Sequence, residues 1–208
     1  MAGANYKLGA FSIGAIDYYS KDIINIAYFE AKDAIAITNR VHLRLAAQYI
    51  EQGSVGENLL MGHEYSAREA GTKIEMAFAG ALITAAYTAA GRTGTSIQSP
   101  WSAVPSYTGV QVENFYRSGE TAWMARAAYT FPRLHNLSAY VLYVHGSTPN
   151  IAGQYARSEY DLNVQWQSSG RWQTLKLLAR YGHVSDAGPQ QLHTNQFRLM
   201  LYYDPTWL

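Results

Sequence analysis

The fold is decided by the stretch Asn195-Gln196-Phe197-Arg198-Leu199-Met200-Leu201-Tyr202-Tyr203, in which side-chain character alternates with a period of two. Such a period predicts a β-strand in which Phe197, Leu199, Leu201 and Tyr203 share one face. That face is apolar and has aromatic rings at both ends, as in the strands of membrane barrels. The other face carries Arg198, which a soluble core would rarely accept. We interpret the stretch as the closing strand of an outer-membrane β-barrel, with Arg198 facing the lumen.

The same alternation recurs along the chain and predicts ten full strands and the end of an earlier one. Residues 41–51 show it most clearly. A helix is the alternative there, because Leu, Ala and Gln favour helices, but helical spacing would put Arg44 and Gln48 on one stripe and scatter the leucines. The predicted strands are 5–8, 11–19, 23–32, 41–51, 72–78, 83–87, 123–131, 137–145, 160–166, 175–181 and 195–203.

The connections between these strands follow a second regularity that indicates a transmembrane barrel. Short turns at 9–10, 33–40, 79–80, 132–136 and 168–171 alternate with mostly longer loops at 52–65, 90–120, 146–157 and 185–194, and 20–22 is a short exception. Outer-membrane barrels have short periplasmic turns and long external loops. The apolar face also repeatedly ends in an aromatic residue, as interfacial belts require: Tyr49, Phe78, Tyr87, Tyr129, Tyr143, Trp166, Tyr181 and Tyr203.

Composition excludes several other classes of protein. The 208 residues are enough for one domain, which we place at 1–208. Hydrophobic residues make up 48% but the mean hydropathy is −0.19, and no window reaches the apolar length of a transmembrane helix. A net charge of +1 argues against nucleic-acid binding. The absence of cysteine excludes disulfides and thiolate metal sites.

Motifs of catalysis and of metal binding are missing from the sequence. No glycine-rich phosphate loop and no G-x-S-x-G elbow occurs, and the six histidines lack metal-ligand spacing. We therefore expect neither an enzyme nor a cofactor.

Several short stretches together resemble the OprD family of outer-membrane porins, in its C-terminal half. None is a strong motif by itself, but their order and spacing cover essentially the whole chain. They are Asp17-Tyr18-Tyr19-Ser20-Lys21-Asp22-Ile23-Ile24-Asn25, Leu43-Arg44-Leu45-Ala46-Ala47-Gln48-Tyr49, Ser54-Val55-Gly56, Ser99-Pro100-Trp101, Pro105 with Tyr107, Phe115-Tyr116-Arg117-Ser118-Gly119-Glu120, and Ala122-Trp123.

The resemblance implies an 18-stranded barrel that passes small carboxylate-bearing nutrients such as amino acids and aromatic acids. In that family, loops fold inward to narrow the pore, and a row of basic residues on the inner wall guides carboxylates. Eighteen strands need roughly twice this length. No charged and apolar signal segment precedes the first strand. The sequence-based expectation is a fragment holding the last ten or eleven strands, and a small self-closed barrel is the alternative. The segment 204–208 extends beyond the closing strand, where such barrels usually end.

Alternation predicts which basic residues line the pore wall. A guanidinium binds carboxylates in bidentate fashion, and binding in a pore must stay weak enough for release. The alternative is that these cations merely pair with wall acids such as Glu75, Glu159 and Asp161. The candidate pore-wall residues are Arg44, Arg126, Lys176, Arg180 and Arg198, of which Lys176, Arg180 and Arg198 form a local ladder on two adjacent strands.

The loop 99–116 is the candidate constriction, because it is long, aromatic and stiffened by proline. An ordinary external loop over the barrel mouth is the alternative. Arg117 and Glu120 flank its end and are expected to pair. The residues assigned to the constriction are Ser99, Pro100, Trp101, Pro105 and Tyr107.

The leading hypothesis is therefore a passive channel in the cell outer membrane, selective for small anionic or zwitterionic solutes. Its expected partners are these solutes and the lipids of the outer membrane, with a weak homotrimer as the possible assembly and no nucleic acid. Two alternatives stay open: a soluble lipocalin-like binding module and a truncated barrel that does not conduct.

Overall fold

The computed structural model describes residues 1–101, 104–134, 136–148, 151–168 and 175–203, and they form one antiparallel sheet. The strands are β1 (Ala2–Leu8), β2 (Phe11–Ser20), β3 (Ile24–Thr38), β4 (Val41–Gly53), β5 (Ser66–Phe78), β6 (Ala81–Ala90), β7 (Thr121–Phe131), β8 (Leu137–Ser147), β9 (Arg157–Gln167), β10 (Lys176–Asp186) and β11 (His193–Tyr202). The all-β class predicted from alternation is confirmed. In the described residues no helix is long and apolar enough to cross a membrane.

Each strand pairs with its neighbours in the sequence, so the sheet follows the order β1 to β11 without a crossover. Within the described ranges, β1 and β11 do not pair with each other. Because the number of strands is odd, these two edge strands run in the same direction. A direct contact between the edges would therefore be parallel, unlike every other pairing in the sheet.

The connections at the two ends of the sheet differ in length, as predicted. At one end, here called the turn end, the chain reverses through 9–10, 39–40, 79–80, 132–136 and 168–175. At the other, the loop end, it reverses through 21–23, 54–65, 91–120, 148–156 and 187–192.

One face of the sheet, here called the outer face, exposes a continuous apolar surface. Phe197, Leu199 and Leu201 of β11 are between 63% and 68% exposed. Single exposed apolar residues are normal on soluble proteins, but a continuous apolar surface marks contact with a membrane or a partner. The outer face is therefore suited to lipid.

Aromatic rings on the outer face lie in two belts. Near the loop end, the Tyr143 ring lies 5.1 Å from that of Trp123 and 4.5 Å from that of Tyr160, between ring centroids. Near the turn end, the rings of Tyr129 and Phe131 are 5.0 Å apart. Two such belts bound the apolar band of a transmembrane barrel.

The opposite face, here called the inner face, is covered by the loop 91–120. Two buried clusters form where this loop packs on the wall. One joins Phe115 to strands β6, β7 and β8, and the other joins Ile97 and Tyr116 to β4 and β5. A buried core thus lies between loop and wall rather than between two layers of secondary structure.

Several strand boundaries predicted from the sequence were wrong. β3 continues to Thr38 rather than ending near residue 32, because Asp33 and Ile35 pair in register with Leu45 and Leu43 of β4. β5 begins at Ser66 rather than 72. The helix alternative for 41–51 was wrong as well. His135, part of the turn 168–171 and the segment 204–208 lie outside the described residues.

Candidate functional site

Part of the loop 91–120 crosses the inner face as a strap, defined here as residues 107–113. Its backbone is held by two acidic side chains of β9. Glu159 accepts hydrogen bonds from the amides of Val112 and Glu113, each 2.8 Å long, and Asp161 accepts one of 3.3 Å from the amide of Gln111. Both acids are buried. Because these carboxylates provide acceptors that the irregular strap backbone needs, they fix its path across the wall.

The other end of the strap is attached to the opposite part of the wall. The Tyr107 hydroxyl donates to Glu30 of β3 at 2.9 Å, and the Thr108 hydroxyl lies 2.7 Å from that of Thr88 on β6. Burial raises the pKa of Tyr107, and the neighbouring Glu30 carboxylate raises it further. The phenol therefore keeps its proton and stays a donor to Glu30.

The end of the loop is anchored by a charged network around Glu120, which is fully buried. Glu120 accepts hydrogen bonds from the Arg117 amide and guanidinium, both 2.8 Å, and from Arg157 at 3.4 Å. Arg157 also bonds to Glu113 and to the carbonyl oxygen of Asn114. The expected pairing of Arg117 with Glu120 is thus present.

A cavity of about 340 Å³ lies between the strap and the wall. Arg126 and Arg180 both line it, together with Tyr140 and strap residues Gly109 and Gln111. The Arg126 guanidinium stacks on the Tyr140 ring at 4.1 Å. The same two arginines and Tyr140 also line an adjoining cavity of about 360 Å³ towards the turn end. Arg126 and Arg180 thus border both cavities, and Glu75 and Asp161 also line the first one.

The ladder residues occupy the positions that alternation predicts. Arg180 and Arg198 are direct cross-strand partners, and the Arg198 guanidinium donates to the carbonyl oxygen of Gln111 in the strap at 3.3 Å. Lys176 lies further towards the turn end, with its ammonium 5.9 Å from the centre of the Tyr202 ring. Arg44 is exposed on β4, opposite Glu75.

The wall acids form no direct ion pair with these five cations, although the charges of Arg180 and Arg198 act on the nearby Asp161. Glu75 forms an ion pair with Lys73 at 3.5 Å, while Glu159 and Asp161 accept strap amides. Across the residues that the structure describes, no carboxylate lies within 4.0 Å of Arg44, Arg126, Lys176, Arg180 or Arg198. Their charge is therefore not neutralised by a direct ion pair in this part of the chain.

The first part of the proposed constriction packs on an apolar region of the inner face. Ser99, Pro100, Trp101 and Pro105 line a cavity of about 110 Å³ with Ile26, Tyr28 and Ile50. The Trp101 ring lies 5.3 Å from that of Tyr18, between centroids. Since Tyr107 belongs to the strap, the loop as a whole borders both an apolar and a basic region of the wall.

Sequence reasoning missed the glycines that make room for the loop. A Cβ on Gly182 would lie 2.8 Å from the Val112 side chain, and one on Gly146 would lie 2.6 Å from Phe115. A glycine inside a strand often marks close approach of another segment, so this signal was present in the sequence. It does not identify which segment approaches.

Comparisons with known proteins gave matches only in structure. No family model matches the chain, and no curated protein matches it in sequence. The structure of Pseudomonas aeruginosa OpdK with vanillate superposes with a TM-score of 0.85 and 17% identity, over 97% of this chain and 55% of that one. For P. aeruginosa OprD the TM-score is 0.84 with 17% identity, over 97% and 57% of the two chains.

The chain has the fold of the OprD-type outer-membrane porins. P. aeruginosa OccK9 (OpdG) is similar as well, with a TM-score of 0.81 and 22% identity over 97% of this chain and 52% of that one. The resemblance predicted from the sequence is thus confirmed in the fold. The chain spans about half the length of these porins.

Proposed function

We propose that the chain forms wall and constriction of a passive outer-membrane channel of the OprD family, selective for small solutes that bear a carboxylate. The observation that carries the proposal is the placement of Arg126 and Arg180 on one cavity between strap and wall, with Arg198 beside Arg180. Guanidinium groups bind carboxylates in bidentate fashion and keep their charge at every relevant pH.

The arrangement also suits release of the solute, which a channel requires. Arg44 and Arg198 are exposed, and Arg126, Lys176 and Arg180 are partly exposed, so bulk water competes for each site. A row of moderately attractive sites lets a solute pass from one to the next. No bond is made or broken, and the concentration gradient supplies the driving force.

An aromatic carboxylate fits both regions that the loop borders. Tyr18 and Trp101 offer ring faces on the apolar side, while the arginines lie on the basic side. The OpdK structure was obtained with vanillate, an aromatic carboxylate. Aromatic acids and amino acids are therefore the solutes that we propose to test first.

The test compares the flux of benzoate with that of arabinose, a neutral sugar, through the Arg180→Gln and Arg198→Gln proteins in liposomes. Each substitution removes a charge and keeps similar side-chain length. We expect the benzoate-to-arabinose ratio to fall roughly three- to tenfold, or about 0.7–1.4 kcal/mol of attraction. Arg133→Gln, in an exposed turn, is the matched control. Equal loss of both fluxes, or no change in the ratio, would contradict the proposal.

A further inference from the structure

The strap is attached to β9 by two hydrogen bonds to one side chain. The two oxygens of one carboxylate, Glu159, accept the amides of two successive strap residues at 2.8 Å each. Glu159 is fully buried, and in the described part of the chain no lysine or arginine forms an ion pair with it. Its partners are thus the strap amides and the neighbouring Asp161 side chain, with which it shares a hydrogen bond.

The chemistry of this contact depends on a carboxyl group, because both of its oxygens accept a strap amide. A carboxylate has acceptors on both oxygens, whereas the glutamine amide has one acceptor oxygen and one NH₂ donor. At position 159 an amide would therefore point a donor at one of the two strap N–H groups. Leaving that group without an acceptor in a buried setting is strongly unfavourable.

The wall beside Glu159 is shaped to receive the strap. Gly182 of β10 lies under Val112, with the Asp161 carboxylate and the Gln111 side chain at the edge of the same space. Contacts on the far side of the strap, at Tyr107 and Thr108, are made by side chains rather than by the backbone. Release at Glu159 would therefore free the amides of Val112 and Glu113, while Asp161 and Arg198 still hold Gln111 and Arg157 still pairs with the Glu113 side chain.

We propose that Glu159 is a latch: the strap exchanges between a latched position on β9 and a released position, and the Glu159 carboxylate sets the balance between them. Asp161 and Arg198 hold Gln111 and therefore also favour the latched position. The claim that the latch controls pore width rests on the proposed channel function. The claim that Glu159 holds the strap against the wall does not.

A disulfide measures the latch directly, because the native chain contains no cysteine. A Cβ on Gly182 would lie 2.8 Å from Cγ2 of Val112, so the two Cβ atoms fall within the roughly 3.5–4.5 Å that a disulfide spans. Val112→Cys also removes the methyl group that would meet the new Cβ. In the Val112→Cys/Gly182→Cys protein, the rate of disulfide formation under a mild oxidant reports how often the strap lies on the wall.

The rate is compared in three backgrounds: unchanged, Glu159→Gln and Glu75→Gln. Glu75→Gln is the matched control, since it removes one negative charge from the same inner face but no acceptor from the strap. We expect disulfide formation to slow about tenfold or more with Glu159→Gln and to stay unchanged with Glu75→Gln. Free thiols are counted by alkylation and mass spectrometry in the folded fraction. If Glu159→Gln yields no folded protein, it is replaced by Glu159→Asp, which keeps the carboxyl group but withdraws it from the strap by one methylene.

The latch would be overturned if the disulfide formed at the same rate in the unchanged and Glu159-substituted backgrounds. It would also be overturned if Glu75→Gln slowed disulfide formation as much as Glu159→Gln does. Because cross-linking requires no permeation, this failure is distinct from a failure of the Arg180 and Arg198 flux test. Bilayer conductance gives a second reading: the Glu159→Gln protein with reduced cysteines should conduct more than the parent, and oxidation should abolish the increase. An increase that survives complete oxidation would also overturn the proposal.

Discussion

Replacing Gly182 by alanine should lift the strap from the wall. The new Cβ would lie 2.8 Å from Cγ2 of Val112, whereas carbon atoms pack best at about 3.5–4.0 Å. Valine is stiff at its first side-chain torsion, so the strap backbone must move by about 1 Å to restore contact. A movement of that size away from the wall stretches the 2.8 Å bond from the Val112 amide to Glu159 beyond hydrogen-bonding distance.

The expected increase in strap opening follows from the free energy of the hydrogen bond that is lost. Leaving a buried donor without its acceptor costs about 1–3 kcal/mol, so losing one bond should raise the open fraction of the strap about fivefold to a hundredfold. Hydrogen exchange followed by mass spectrometry should show this loss of protection at Val112 and Glu113. Strand amides of β9 should change little, because their ladder bonds to β8 and β10 remain.

Gly14→Ala is the control for this prediction. Gly14 also faces inward from the middle of a strand, but a Cβ there meets only ordinary contacts, the nearest being 3.6 Å from the carbonyl oxygen of Ala4. Its exchange should match that of the parent. Unchanged protection at Val112 and Glu113 in the Gly182→Ala protein would refute the reasoning that Gly182 exists to admit the strap.

Further substitutions test other parts of the account. Gly146→Ala should lower the melting temperature, because its Cβ would overlap Phe115 and Glu120 at a cost of about 1–3 kcal/mol; an unchanged melting curve would argue against the tight anchoring of the loop end. Leu199→Arg should weaken insertion into vesicles by about 2–4 kcal/mol, the cost of a charge facing lipid at the bilayer midplane. Met200→Arg, on the inner face of the same strand, should insert normally, and equal defects would show that the faces are wrongly assigned.

The strands could be predicted from the sequence because their signal is local. In β11 the alternation alone separates the lipid-facing residues from Arg198, and β10 and β9 repeat the pattern. Local signals also predicted the wrong ends for some strands. Lys32 and Asp33 suggested a turn, yet β3 continues through them because Asp33 pairs in register with Leu45 on the neighbouring strand.

The attachment of the strap could not be predicted, because it joins residues far apart in the chain. From the sequence, Glu159 and Asp161 are wall acids, and pairing with the arginines is only the alternative to the ladder. The structure instead gives them the amides of residues 111–113, nearly fifty positions earlier. A glycine inside a strand, as at Gly146 and Gly182, indicates that another segment comes close. It does not indicate which segment that is. The length and proline content of 99–116 indicated a constriction or an external loop, and only its contacts with the inner face distinguish the two placements.

The most direct test of the central claim is the ion selectivity of the native protein that carries this chain, measured as a reversal potential across a salt gradient in a planar bilayer. If the inner face with Arg126, Arg180 and Arg198 lines the pore, discrete channels should prefer anions and should be blocked by benzoate. Cation preference, or channels that benzoate does not affect, would contradict the assignment of a carboxylate path along this wall.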